Sequence, residues 1–280
     1  MQWAWSVSGF SLIDKSHEQI RHICRHAGLA GIEAPPPLFN GMGESDLEII
    51  ASDYRADGLS FDTFHLPFSA SGDIASFYET TRRKAVDEAV KWIERAGILG
   101  VRAAIQHPTT CRHDAEVDGI DMFFVQLGKS LDTMLLSAVA NGVTIALENM
   151  LPGDAGGRLA SRPEHFERFA REFGDPRLGF CLDTGHALVA GHERAAEIPA
   201  AMGDRLVAFH LADNAGDRDS HLAPGRGRGD WGKVFATAAS LGYSHSMCIE
   251  TSPFDYGPDF SDDAWKVLVE DTQALTGRTR

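Results

Sequence analysis

The sequence contains no apolar run near the roughly 20 residues that a membrane-spanning helix requires, so no helical span is predicted. Its opening, Met1-Gln-Trp-Ala-Trp-Ser, has neither the basic stretch nor the apolar core of a secretory signal, and a cytoplasmic location is expected. Cysteine is scarce. Cys24, Cys111, Cys181 and Cys248 are scattered with no CxxC spacing, which fits reduced, mostly buried thiols better than a disulfide framework and excludes a zinc-finger type of site. Positive charge is also short: 26 Lys and Arg stand against 40 Asp and Glu, a net charge of −14. Nucleic-acid binding rests on neutralising phosphates, so this balance opposes an extended nucleic-acid surface, although not a local groove. Linkers and low-complexity segments are missing, and residues 1–280 read as one domain.

What is present is a regular alternation. Short apolar runs predict strands over 2–7, 31–35, 59–65, 101–108, 143–149, 178–183, 206–210 and 246–251. Helical periodicity predicts helices over 16–27, 44–56, 73–96, 118–140, 162–173, 193–202, 230–241 and 262–275. Gly28 ends the first helix, Asp73 is placed to cap the third, and Pro163 sits near the start of the fifth. Strands that alternate with helices pair in parallel, with the helices as crossovers. Eight such units in a chain of this length predict an α/β fold closed into a (β/α)8 TIM barrel. The irregular stretch 212–229 is long enough to be functional.

The predicted strands three to eight end at His65, His107, Glu148, Asp183, His210 and Glu250. In a (β/α)8 barrel the C-terminal ends of the strands form the active-site face. One such residue would be an ordinary polar side chain; six in succession predict a metal site. The best ligands are Glu148, Asp183, His210 and Glu250. Three carboxylates and one imidazole suit a divalent ion, Mn or Zn first, with Mg or Co as further candidates. His65 and His107 offer a second ion bridged by Glu148. His186, Asp219 and His221 offer a third. The competing role for these outer residues is substrate binding, which is the reading taken for His65, His107 and His186.

The segments Leu147-Glu148-Asn149, Cys181-Leu-Asp183-Thr-Gly-His186, His210-Leu-Ala-Asp213-Asn, Asp219-Ser-His221-Leu-Ala-Pro-Gly-Arg-Gly and Ile249-Glu250-Thr together resemble the xylose-isomerase-like TIM-barrel superfamily. The resemblance runs from the third strand to the eighth. That group contains sugar isomerases and epimerases, inosose dehydratases, hydroxypyruvate isomerases and endonuclease IV. In the epimerase branch, the resemblance implies one ion on Glu148, Asp183, His210 and Glu250. Glu148 and Glu250 then also move protons, and His186 touches substrate. In the endonuclease IV branch it implies three zinc ions on nine residues, all with counterparts here: His65, His107, Glu148, Asp183, His186, His210, Asp219, His221 and Glu250.

Four features favour the sugar branch. The net charge is strongly negative. The first strand, Trp3-Ala-Trp-Ser-Val-Ser-Gly, lacks the His-containing motif of endonuclease IV, and His107 is followed by Pro-Thr-Thr instead of Pro-Gly. The Gly-rich loop ends in Asp230-Trp231, as in the sugar and inosose branch. The expected activity is a metal-dependent isomerase or epimerase on a sugar, ketose or polyol. It would work by proton transfer between Glu148 and Glu250 through a metal-stabilised enediolate. A dehydratase on the same site, an abasic-site nuclease and a non-catalytic metal-binding barrel remain the alternatives. Arg226, with Arg228 beside it, is a candidate clamp for a substrate phosphate or carboxylate. Arg112 and His113 are placed to reach a substrate. Trp3, Trp5, Phe10 and Phe68 are candidates for an apolar wall. The partner expected is a small sugar or polyol, with no membrane and no nucleic acid; a homo-oligomer is compatible with the chain.

Overall fold

The computed structural model describes residues 3–69, 71–111, 115–153, 157–191, 194–256 and 261–278. Its strands are β1 (Trp5–Ser8), β2 (Gly31–Ala34), β3 (Ser60–His65), β4 (Ala103–Gln106), β5 (Thr144–Glu148), β6 (Leu178–Asp183), β7 (Leu206–Leu211) and β8 (Met247–Ile249). Each pairs in parallel with the next, and β8 returns to β1, so the barrel is closed in sequence order. The helices are α1 (His17–Ala27), α2 (Glu44–Ala56), α3 (Glu79–Leu99), α4 (Ala115–Asp118), α5 (Ile120–Asn141), α6 (Pro163–Glu172), α7 (Thr184–Val189), α8 (Arg194–Met202), α9 (Trp231–Ser240) and α10 (Asp262–Leu275). This is the expected (β/α)8 TIM barrel. Among the described residues, no helix is long and apolar enough to cross a membrane.

The alternation of side chains along each strand sorts the core into two layers. Ile145 and Leu147, Phe180 and Leu182, and Phe209 point outward and pack under the helices in the main apolar cluster. Residues two places before the chemistry-bearing positions point inward. Ile105, Ala146, Cys181 and Ala208 form their own small cluster inside β4–β7, below His107, Glu148, Asp183 and His210. The same alternation that buries the barrel interior therefore aims the last inward residue of each strand at the open C-terminal mouth.

Local signals explain most helix ends. Ser16 and Gln19 form a reciprocal cap at the start of α1. Gly28 closes that helix with φ 70°, a conformation that costs glycine nothing. Asp73 does not cap α3, which begins six residues later at Glu79. Its buried carboxylate instead accepts from the Ala75 amide and the Thr109 hydroxyl, both at 2.8 Å, and ties the β3–α3 loop to the segment after β4. The predicted helix 118–140 is α5, which starts at Ile120 just after Gly119, whose φ is 104°; the one-turn α4 before it was not expected. The six-residue α7 was not expected, because it is too short to show a helical period. The first strand lies nearer 5–8 than 2–7.

Candidate active site

The C-terminal face of the barrel opens into a cavity of about 380 Å³. His65, His107, Glu148, His186, Asp219, His221 and Glu250 all line it, with Phe10, Phe68 and Phe254 on the outer wall. Asp183 and His210 are fully buried and lie beneath its floor.

Glu148 is the centre of the cluster. Its Oε1 lies 3.1 Å from His210 Nδ1, and its Oε2 lies 3.1 Å from His107 Nε2 and 3.6 Å from His65 Nε2. His210 Nδ1 is also 3.1 Å from Glu250 Oε2. One donor atom from each of Glu148, Asp183, His210 and Glu250 falls within 4.8 Å of all the others. The same holds for His65, His107 and Glu148, the second expected group. The third group meets on a single oxygen: Asp219 Oδ2 is 3.0 Å from His221 Nε2 and 3.4 Å from His186 Nε2.

Backbone partners set the aim of these rings. His65 Nδ1 donates to the Leu66 carbonyl over 2.9 Å, which leaves Nε2 to face Glu148. His186 Nδ1 donates to the Asn149 carbonyl and His221 Nδ1 to the Glu250 carbonyl. His221 adopts φ 45°, an uncommon conformation for a residue with a side chain, in making that contact. Asp183 uses Oδ1 to accept the His186 amide over 2.6 Å, capping α7 and turning His186 back to the cavity. Asp183 Oδ2 has no hydrogen-bond partner although it is buried.

The electrostatics follow from crowding. Burial opposes charge on Glu148, yet His210 and His107 hold its carboxyl well below the usual carboxylate range. Burial likewise opposes charge on Glu250, and His210 brings it down to about 2. Asp183 goes the other way: burial, with Glu250 and Glu148 nearby, pushes it well above its ordinary value despite His186. A buried carboxylate oxygen without a donor, inside a ring of further carboxylates, is costly unless a cation neutralises it. The donor set and the orphaned Asp183 oxygen therefore fit a divalent ion.

Two residues escaped the sequence reading. Glu33, the penultimate residue of β2, is fully buried, and its Oε2 lies 2.9 Å from His210 Nε2 and accepts from Thr63 Oγ1 over 2.8 Å. The pattern of acidic or imidazole residues at strand ends extends to β2 and could have found it. Asn149 clamps β5 to β6, accepting from the Asp183 amide over 2.6 Å and donating to the Asp183 carbonyl over 2.9 Å. No pattern in the sequence marks that role.

Other candidates lie elsewhere. Arg226 is not among the residues lining the cavity; its guanidinium sits 5.0 Å over the Tyr256 ring and 3.5 Å from Asp271 of α10. Trp3 and Trp5 are buried against Phe235 of α9, so only Phe10 and Phe68 of the expected apolar wall face the cavity. Arg112 and His113 lie outside the described residues. The Gly-rich loop is organised around Asp213, which accepts from the amides of Asn214, Gly225 and Gly229 and from Trp231 Nε1, all at 2.8–3.0 Å. Its glycines serve this packing and do not form a phosphate cradle.

Comparison with known proteins bears on the fold and the family. An uncharacterised protein, y4fM, of Sinorhizobium fredii is 28% identical over 262 residues, covering 85% of this chain and 82% of that protein. A probable endonuclease 4 of Cenarchaeum symbiosum is 30% identical over 197 residues, covering 63% of this chain and 64% of its own length. Among solved structures, a D-tagatose 3-epimerase-like protein superposes with a TM-score of 0.80 at 22% identity, covering 99% of this chain and all of the other, a likeness of fold. The family model described as xylose isomerase-like TIM barrel matches residues 22–270, which span seven of the eight strands and every acidic or imidazole residue placed above at the mouth. The chain belongs to the xylose isomerase-like TIM barrel family.

Proposed function

We propose that this chain is a divalent-metal-dependent isomerase or epimerase of a sugar, ketose or polyol, built as one domain over residues 1–280. The observation that carries the reading is the convergence of Glu148, Asp183, His210 and Glu250 within 4.8 Å at the floor of a cavity of sugar size. Similarity to a D-tagatose 3-epimerase-like fold supports it. Glu148, Asp183, His210 and Glu250 would hold the ion, with Mn or Zn favoured by three carboxylates and one imidazole. When bound, it supplies positive charge opposite the negative charge that develops on substrate oxygens.

The chain's own groups do the rest. Inverting the stereocentre beside a sugar's carbonyl, or moving that carbonyl to the next carbon, requires a proton to leave the carbon beside the carbonyl and a proton to return. Glu148, at the end of β5, and Glu250, just after β8, are held ionised and line the cavity, so either would accept the proton; the carboxyl so formed would return it, and delivery from the opposite side would require the other carboxylate first to take up a proton from solvent. His186, His65 and His107 present imidazole groups to substrate hydroxyls. Phe10 and Phe68 give an apolar wall that excludes water. The buried thiols of Cys24, Cys181 and Cys248 fit the reducing conditions of the cytoplasm.

A second reading rests on a specific observation: the His65, His107 and Glu148 group and the pairing of His186 and His221 on Asp219 leave room for more than one ion. Several ions would suit hydrolysis of a phosphate ester, and the Cenarchaeum symbiosum relative is described as a probable endonuclease 4. One experiment separates the two. The metal content of the purified protein is measured, and a panel of ketoses and inososes is incubated with it in D₂O, beside a duplex with an abasic site. Deuterium from solvent in a recovered sugar is expected. Strand cleavage without exchange into any sugar reverses the order of the two readings.

A further inference from the structure

Glu33 is the least explained group near the mouth. It is a carboxylate with no measurable exposure, on a strand that contributes nothing to the four-residue donor set. Burying a carboxylate is expensive, and barrel interiors are normally filled with branched apolar side chains. Its Oε2 accepts from two directions. Thr63 Oγ1 donates from β3 over 2.8 Å, and His210 Nε2 lies 2.9 Å away from β7, across the barrel. The same imidazole turns Nδ1 towards Glu148 Oε1 and Glu250 Oε2, each at 3.1 Å.

The two ring nitrogens of a histidine are not equivalent once one has a fixed partner. A carboxylate cannot donate, so the nitrogen facing Glu33 must carry the hydrogen. Nδ1 faces the carboxylates of Glu148 and Glu250 and carries a hydrogen too until a bound ion displaces it; with Nε2–H held by Glu33, the lone pair left for that ion is the one on Nδ1. We propose that Glu33 is a positioning residue: it fixes the ring orientation and tautomer of His210, and so presents Nδ1 as a ligand atom towards the divalent ion. Thr63 holds Glu33 in turn. This rests on the metal-dependent reading above, but not on which sugar is turned over.

The test uses the full chain with Glu33→Gln, which keeps the side-chain shape but offers His210 either an acceptor or a donor. Glu33→Asp and Thr63→Val accompany it. Affinity for Co²⁺ and Mn²⁺ is measured by chelator competition, with the visible spectrum of the Co²⁺ form and the thermal midpoint of each metal-free protein. The expected result is a loss of about 10–100-fold in affinity for Glu33→Gln, the range seen when such ligand-orienting partners are removed. The Co²⁺ spectrum should change, with partial recovery in Glu33→Asp and a smaller loss in Thr63→Val. Where turnover is measurable, saturating metal should restore most of kcat. A folded Glu33→Gln protein with wild-type affinity and an unchanged Co²⁺ spectrum overturns the proposal. So does a wild-type protein that binds neither ion, which also ends the metal-dependent reading. Tight binding that depends on Glu33, with no exchange into any sugar, upholds the role of Glu33 and refutes only the proposed substrate.

Discussion

Trp231 Nε1 donates to Asp213 Oδ2 over 2.8 Å, and this bond joins the end of the Gly-rich loop to the end of β7. Asp213 is fully buried and takes three backbone amides as well. It is the hub that lets a long loop keep one shape at the rim of the cavity. Gly227 belongs to the same arrangement, because a Cβ there would meet Asp213 Oδ1 and the Asn214 carbonyl at 2.3 Å.

Asp213→Ala should leave four donors without their acceptor. Hydrogen bonds to a charged group are worth more than neutral ones, and their loss is not additive, so a destabilisation of about 3 kcal/mol is expected. Denaturant unfolding checks this. Gly227→Ala should act in the same direction through its clash with backbone. Unchanged midpoints in both variants would show that the loop does not depend on this hub.

Glu148→Gln and Glu250→Gln should each lower turnover by about 10²–10⁴-fold, the range for a general acid or base, while far-UV circular dichroism stays unchanged. Both groups are held ionised by His210, with His107 also acting on Glu148. Near-full activity in either variant would break the acid–base assignment.

Removing the ion should separate binding from folding. Chelator treatment is expected to abolish activity reversibly, and a saturating divalent ion to raise the thermal midpoint; at 100 times Kd the gain is about 2.7 kcal/mol. In Asp183→Asn both responses should be lost. Calorimetry with and without ion is the measurement, and an ion-independent midpoint in the wild type counts against a site at these residues.

Arg226→Ala should leave KM and kcat at wild-type values. The guanidinium is engaged with Tyr256 and Asp271 instead of the cavity. A rise in KM confined to phosphorylated substrates would return Arg226 to the site.

His17 predicts a pH effect remote from the mouth. Burial lowers its pKa below 6.5, against the Leu38 carbonyl bond that favours the charged ring. The folded state therefore binds fewer protons than the unfolded chain just below pH 6.5. Stability present above that value should be lost as pH falls through 6.5 to the folded pKa. His17→Gln should flatten this part of the stability–pH curve, read by urea unfolding at several pH values. An equally steep curve in the variant would assign the effect to other groups.

The sequence by itself determined the barrel, because eight alternations of period 2 and period 3.6 admit few other closures. It also determined which residues stand at the mouth. In a parallel strand the inward residue nearest the C-terminus must face that end, so His65, His107, Glu148, Asp183, His210 and Glu250 were legible from spacing alone. Short elements were not legible: α7 has no measurable period, and the place of Asp73 depends on Thr109, distant in sequence. Only the tertiary structure decided partners across the barrel. Glu33 meets His210 over a separation of 177 residues, and Arg226 turns to α10 instead of the cavity. Closure of the barrel sets those distances, through the strand register and the helix packed outside it, and no local pattern encodes either.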